Sequence, residues 1–154
     1  MHQEIVTNKR EIDWLAVGLF TTNDNNISFI SEILTHASSF VVLERLNIKN
    51  SHISKLSTTF NNQEQNKTND LVLRQMKMNL DNVEAMAGLM GAIQEVAMDD
   101  MEISVAVWDK LAEGLVTIAQ NGRLNLEILR INGETEKPNK IIAEKISEAG
   151  VIII

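Results

Sequence analysis

Apolar positions recur every three or four residues between Val72 and Ala97: Val72, Met76, Leu80, Val83, Met86/Ala87, Met90, Ile93 and Ala97. That spacing describes one face of an α-helix. It predicts a helix over 70–98, about 43 Å long at ~1.5 Å per residue, with Thr68, Asn69 or Asp70 capping its start. A second stripe, Met101, Val105, Trp108, Leu111/Ala112, Leu115 and Ile118/Ala119, predicts a helix over 101–121. Asp99 and Asp100 suit its first turn, where carboxylates meet free N–H groups and the positive end of the dipole. Asn121-Gly122 suits its end, since glycine takes the left-handed conformation cheaply. Leu126 and Leu129 keep the helical phase, so an extension to Ile131 stays open.

Two such helices, reversing at Asp99-Asp100, would form a long antiparallel hairpin. Gly91 would then face Trp108, Gly88 would face Leu111, and Ala85 would face Gly114. A mid-helix glycine costs about 1 kcal/mol relative to alanine, and close helix approach supplies a reason for Gly88, Gly91 and Gly114. Met78 falls off the main stripe and marks a second apolar face. Met78, Gly88, Gly91, Trp108 and Gly114 form the expected packing or dimer face, and a hairpin with two apolar faces predicts a homodimer.

The remaining segments read as attachments to this hairpin. Ile12, Leu15/Ala16 and Leu19 fit a short helix within 9–20, with a strand through 15–20 as the alternative. Ile27, Ile30, Ile33/Leu34, Ala37 and Phe40/Val41 predict a helix over 27–46, and Ile48, Ile53, Leu56 and Phe60 a short one within 47–60. Residues 61–69 carry no apolar side chain and read as a linker. Beyond Gly122, Leu124, Leu126 and Ile128 alternate, so a strand and a helix extension both fit. Pro138 pre-sets the first turn of a helix over 138–149. The β-branched tail Val151–Ile154 is expected to pack on the core, pair with 124–131 as a short sheet, or meet another chain. No internal repeat is evident. The expected fold is all-α: one domain over 1–154, with N-terminal helices in 9–60, the linker 61–69, the central hairpin 70–122, and a C-terminal segment 123–154 in which minor β pairing is an option.

Composition fits that expectation. The chain has 154 residues, 44% apolar and 23% charged, with one proline and no tyrosine, which suits a soluble helical bundle better than a sandwich or barrel. A net charge of −7 argues against binding a nucleic-acid backbone, which needs clustered Lys and Arg. The absence of cysteine excludes disulfides, thiolate nucleophiles and cysteine-based zinc sites. No apolar h-region opens the chain and no apolar run is long enough to span a bilayer, so a cytoplasmic protein is expected.

Candidate chemistry is sparse. His2, His36 and His52 give no ligand pair at helical spacing and lie in no nucleophile–base pattern, so no catalytic residue, metal site or cofactor is expected. Between Asn79 and Asp109 lie Asp81, Glu84, Glu95, Asp99, Asp100, Glu102 and Asp109, without one Lys or Arg. A solvated, capped turn explains this most simply. Its functional counterpart is a docking site for a protein with a basic surface, made by Glu95, Asp99, Asp100, Glu102 and Asp109. A divalent cation site lacks the Asp-x-Asp order of a calcium loop. The functional expectation is a non-enzymatic protein-binding module: a small acidic inhibitor, immunity or adaptor protein of bacterial or phage/mobile-element type that occludes its partner. The alternative is a helical small-molecule sensor with a pocket among the methionines and Gly88/Gly91.

Overall fold

The computed structural model describes residues 12–18, 37–44, 50–61 and 68–154. They form an α/β fold, which corrects the expected all-α bundle. Strands β1 (Ile12–Gly18) and β2 (Ala37–Glu44) lead to helix α1 (Asn50–Asn61). Then strand and helix alternate: β3 (Asp70–Arg74), α2 (Val83–Gly91), β4 (Glu95–Asp99), α3 (Val105–Gln120), β5 (Ile128–Asn132), α4 (Lys140–Glu148), and the two-residue β6 (Ile152–Ile153). All neighbouring strands are parallel, and their order across the sheet is their order along the chain. With crossovers of one hand, an order that never reverses puts the described helices on the same side. The result is a short βα solenoid, in which each coil contacts the coils beside it.

Burial along the strands follows from that one-sided cover. In β3 the pattern is Leu71 and Leu73 inward, Asp70, Val72 and Arg74 outward; in β4, Val96 and Met98 inward, Glu95, Ala97 and Asp99 outward. β5 repeats it with Leu129 and Ile131 inward. The inward residues join one core with His52's neighbours Ile53 and Leu56 on α1, Met86, Leu89 and Met90 on α2, Trp108, Leu111 and Leu115 on α3, and Ile142 and Ile146 on α4.

The predicted hairpin fails at identifiable residues. Its first helix merged two strands and a short helix into one stripe. Val72, taken as core-facing, stands on the outward face of β3, and Leu80 is 62% exposed. Between them, Met76 and Met78 alternate inward with the polar Gln75 and Lys77, in the period of extended chain. A turn then forms from the poor helix formers Asn79, Asp81 and Asn82. The Asn79 side-chain oxygen accepts from the Asp81 and Asn82 N–H groups, both at 3.0 Å, and Asn82 returns a side-chain acceptor to the Asn79 N–H at 2.9 Å. Asp99-Asp100 is the end of β4, not a helix reversal. The second helix exists over 105–120, but its cap is Ser104, whose hydroxyl accepts from the Val107 N–H.

Elsewhere the corrections are similar. Residues 37–44 are strand where a helix over 27–46 was expected, and 12–18 are strand where a short helix was one of two options. Residues 27–36 and the linker residues 62–67 lie outside the described set. The short helix expected in 47–60 appears as α1, and that expected over 138–149 as α4, capped by Asn139, which accepts from the Ile142 N–H at 3.0 Å. Residues 128–132 are strand, and the tail pairs with them: Ile128 matches Ile152 and Leu129 matches Ile153.

The structure also contains a repeat that the chain's spelling hides. Arg74, Asp99 and Asn132 are register partners, and the residue after each is left-handed: Gln75 at φ 52°, Asp100 at 51° and Gly133 at 61°. Hydrogen bonds continue from coil to coil past these points, from the Gln75 N–H to the Asp99 carbonyl and from the Asp100 N–H to that of Asn132.

Candidate functional site: the open face of the sheet

A parallel sheet is ordinarily covered on both faces. Here the described helices cover one. The other face is laid out by the register in three rows. The first row holds Phe40, Asp70, Glu95 and Ile128; the second Val42, Val72, Ala97 and Arg130; the third Glu44, Arg74, Asp99 and Asn132. Over β3–β5 these residues are half-buried, with Asn132 exposed, while Val42 is buried. An apolar strip of Val42, Val72 and Ala97, ending at Arg130, therefore runs between the two rows that carry the carboxylates.

Four carboxylates on this face (Glu44, Asp70, Glu95, Asp99) meet two guanidinium groups. Arg74 Nε donates to Asp99 Oδ2 at 3.0 Å across β3 and β4. Arg130 reaches diagonally to Glu95 at 3.4 Å. Asp70 lies directly beside Glu95 in the register, a like-charge pair on neighbouring strands. Burial first, then the hydrogen bond and charge of Glu95, push the Asp70 carboxyl above its usual range, while Arg130 pulls it back.

The predicted acidic tip is thus divided among three places. Glu95 and Asp99 stand on the open face. Asp100 and Glu102 are exposed at its rim, in the turn leaving β4, with Lys77 3.7 Å from Glu102. Asp109 lies in the helix layer, 3.2 Å from Lys145 of α4. Asp70, Arg74 and Arg130 belong to the face and were missed. Their signal was the alternation in Asp-Leu-Val-Leu-Arg, Glu-Val-Ala-Met-Asp and Ile-Leu-Arg-Ile-Asn.

The expected packing face is dispersed too. Met78 and Trp108 are buried in the core, so neither is presented to a partner. The Trp108 indole N–H donates to the Glu136 carbonyl at 2.8 Å rather than lying over Gly91. The glycines do serve close approach, with other neighbours: Gly114 of α3 meets Ala87 of α2, Gly88 meets Ser57 of α1, and Gly91 meets Ile118 and Leu124. A shallow depression of about 700 Å³ lies over the α2–α3 contact, lined by Leu80, Ala87, Gly88, Lys110, Gly114 and Ile118. Met76, Met78, Met86, Met90, Met98 and Met101 lie in the core instead.

Among the described residues, no group of three or more His, Asp or Glu is placed to hold a metal ion, and no helix is long and apolar enough to cross a membrane. No known family profile matches the chain, and no curated protein does.

Proposed function

We propose that this chain is a non-enzymatic protein-binding module, of the inhibitor, immunity or adaptor kind, that occludes a partner with a basic surface. The observation supporting it is the sheet face away from the described helices, where carboxylates outnumber guanidinium groups around an apolar strip of Val42, Val72 and Ala97. Such a face is a rigid, pre-organised platform, so little conformational freedom is lost when a partner docks on it. Solenoids use the corresponding surface for binding. The excess of carboxylates favours association with a positive surface and steers it over about a Debye length, ~10 Å at 0.1 M salt. Glu95 and Asp99 lie in the contact, Asp100 and Glu102 at its rim, and Asp109 falls outside it.

Capture of the partner from the native lysate tests this with two variants. Ala97→Arg puts bulk and positive charge in the middle of the open face. Lys110→Glu changes the helix side. One stoichiometric partner, lost in Ala97→Arg and at raised salt but retained by Lys110→Glu, is the expected result. A partner retained by a folded Ala97→Arg protein overturns the assignment.

A second reading, the small-molecule sensor, draws on the depression at the α2–α3 contact. Its pocket would be lined by Gly88, Gly114 and Ile118 instead of methionines. A ligand that raises the melting temperature of the wild type but not of Gly88→Leu would favour it over the binding module.

A further inference from the structure

We propose that Asn132 is a site of spontaneous deamidation, where the chain's own backbone turns a neutral side chain at the end of β5 into a carboxylate. The inference is independent of the protein-binding reading above. The chain holds two Asn-Gly steps, Asn121-Gly122 and Asn132-Gly133. Glycine has no Cβ, so its backbone nitrogen can approach the preceding side chain closely. The asparagines Asn79, Asn82 and Asn139 are different. Each precedes a residue with a Cβ, and each side chain already holds a backbone N–H.

The two Asn-Gly steps differ at the attacking atom. The Gly122 N–H donates to the Ala119 carbonyl at 2.9 Å, in the turn that ends α3, and the Asn121 and Arg123 N–H groups beside it donate to Thr117 and Ile118. Among the described residues, no group accepts the Gly133 N–H. Asn132 is exposed, and its carbonyl accepts from the Asp100 and Thr135 N–H groups at 3.4 and 3.3 Å, beyond the usual length of such bonds. Asn132 is also the last residue of β5, so its ψ can turn toward ring closure without drawing Leu129 or Ile131 from the core.

The reaction needs water and a base. The Gly133 nitrogen attacks Cγ of Asn132 as the base takes its proton. The new N–Cγ bond closes a succinimide ring, and the Cγ–Nδ2 bond breaks, with Nδ2 leaving as ammonia. Water then opens the ring. Attack at Cγ gives an ordinary aspartate, and attack at the backbone carbonyl carbon gives isoaspartate, in which the chain runs through Cγ. One water is consumed and one ammonia released, and nothing is oxidised or reduced.

The product changes a particular place. Asn132 is the register partner of Asp99, which accepts from Arg74 at 3.0 Å. The third row would then hold carboxylates at Glu44, Asp99 and position 132 against the single guanidinium of Arg74. An isoaspartate also adds a carbon to the backbone just before the left-handed Gly133, where Asp100 holds the Glu134 N–H.

The test is incubation of the full folded chain at mildly alkaline pH in heavy-oxygen water, which labels carboxylates formed during the incubation, followed by tryptic mass spectrometry. Cleavage at Lys110, Arg123, Arg130 and Lys140 separates the two sites into peptides 111–123 and 131–140. Conversion is expected about fivefold faster at Asn132 than at Asn121, the ratio set by a hydrogen bond worth about 1 kcal/mol on the Gly122 N–H. In urea that unfolds the chain, the two sites should convert at similar rates. On ion exchange, Asn132→Gln should slow the acidification of the folded protein severalfold, whereas Asn121→Gln should barely change it. The proposal is overturned by faster or equal conversion at Asn121 in the folded chain, or by no conversion at Asn132 while the unfolded chain converts. The same preference in urea would overturn it too, because it would then belong to the local sequence and not to the fold.

Discussion

The Asp100 carboxylate accepts the Glu134 N–H at 2.7 Å, and by doing so it closes over Gly133 in the next coil. Gly133 is left-handed, and a Cβ there would run into the Asp100 side chain. Two costs then coincide, since a non-glycine residue in this region costs roughly 1–2 kcal/mol before any clash. Gly133→Ala should lower stability by about 2 kcal/mol or more, seen as a lower urea midpoint at unchanged slope. Gln75→Gly, at the matching place two coils earlier, should not lower it. If both variants fall equally, the coils are not equivalent in the way the register implies.

Thr135 is a buried hydroxyl between two coils. It accepts the Met101 N–H at 2.9 Å and donates to the Met98 carbonyl at 3.3 Å. Thr135→Val keeps the volume but leaves a buried N–H without its acceptor, which costs about 1–3 kcal/mol. Thermal unfolding of this variant should show the loss, and Thr135→Ser should recover part of it. Equal stability of Thr135→Val and wild type would mean that the N–H finds another acceptor.

Asp70 sets a pH dependence whose sign is fixed by its surroundings. Its folded carboxyl titrates above the unfolded value, owing to burial and then Glu95, with Arg130 opposing. The fold therefore favours the protonated form. The stability this contributes is complete below the unfolded pKa of about 3.9 and is lost as pH rises through the raised folded value. Asp70→Asn, neutral throughout, should be the more stable protein at pH 7. Its advantage should shrink as pH falls through the raised folded value and be gone below about 3.9. Denaturant midpoints of the two proteins, measured from about pH 3 to pH 7, should converge at the acid end, below the unfolded carboxyl value of about 3.9. A constant difference would remove the electrostatic explanation.

Self-association, expected from a second apolar face at Met78, must use other residues, because Met78 is only 1% exposed. The last coil exposes Ile141, Ile152 and Ile154, and β6 is a sheet edge. An apolar edge strand is a template for pairing. Sedimentation velocity should show a dimer that Ile152→Lys/Ile154→Lys converts to monomer. A wild-type monomer at micromolar concentration would end the homodimer expectation.

What the sequence made legible was mostly the second half of each coil. The helices at 105–120 and 140–148 have stripes of Val107, Trp108, Leu111 and Leu115, or Ile142 and Ile146, that no extended chain would bury on one side. The strands were harder. Five residues such as Glu95–Asp99 contain only two inward positions, and Val72 or Ala97 on the outer face extends a false helical stripe across them. Methionine compounds the difficulty: Met76, Met98 and Met101 occupy extended segments, whereas Met86 and Met90 lie on α2. The repeat was obscured by unequal coils. The register advances 25 residues from Asp70 to Glu95 but 33 from Glu95 to Ile128. The difference is largely helix length, 9 residues in α2 against 16 in α3.

Those unequal coils give the protein a mechanical signature. Each coil adheres to the next along one strand and one helix, so tension applied at the β6 end would detach coils in turn. Register partners step 24 residues from Ile128 to Ile152, then 33, then 25. At about 3.4 Å of extended chain per residue the released lengths are roughly 80, 110 and 85 Å. A force–extension trace would therefore read as a coded sequence of rips, with the longest in the middle, where the α3 turns give out.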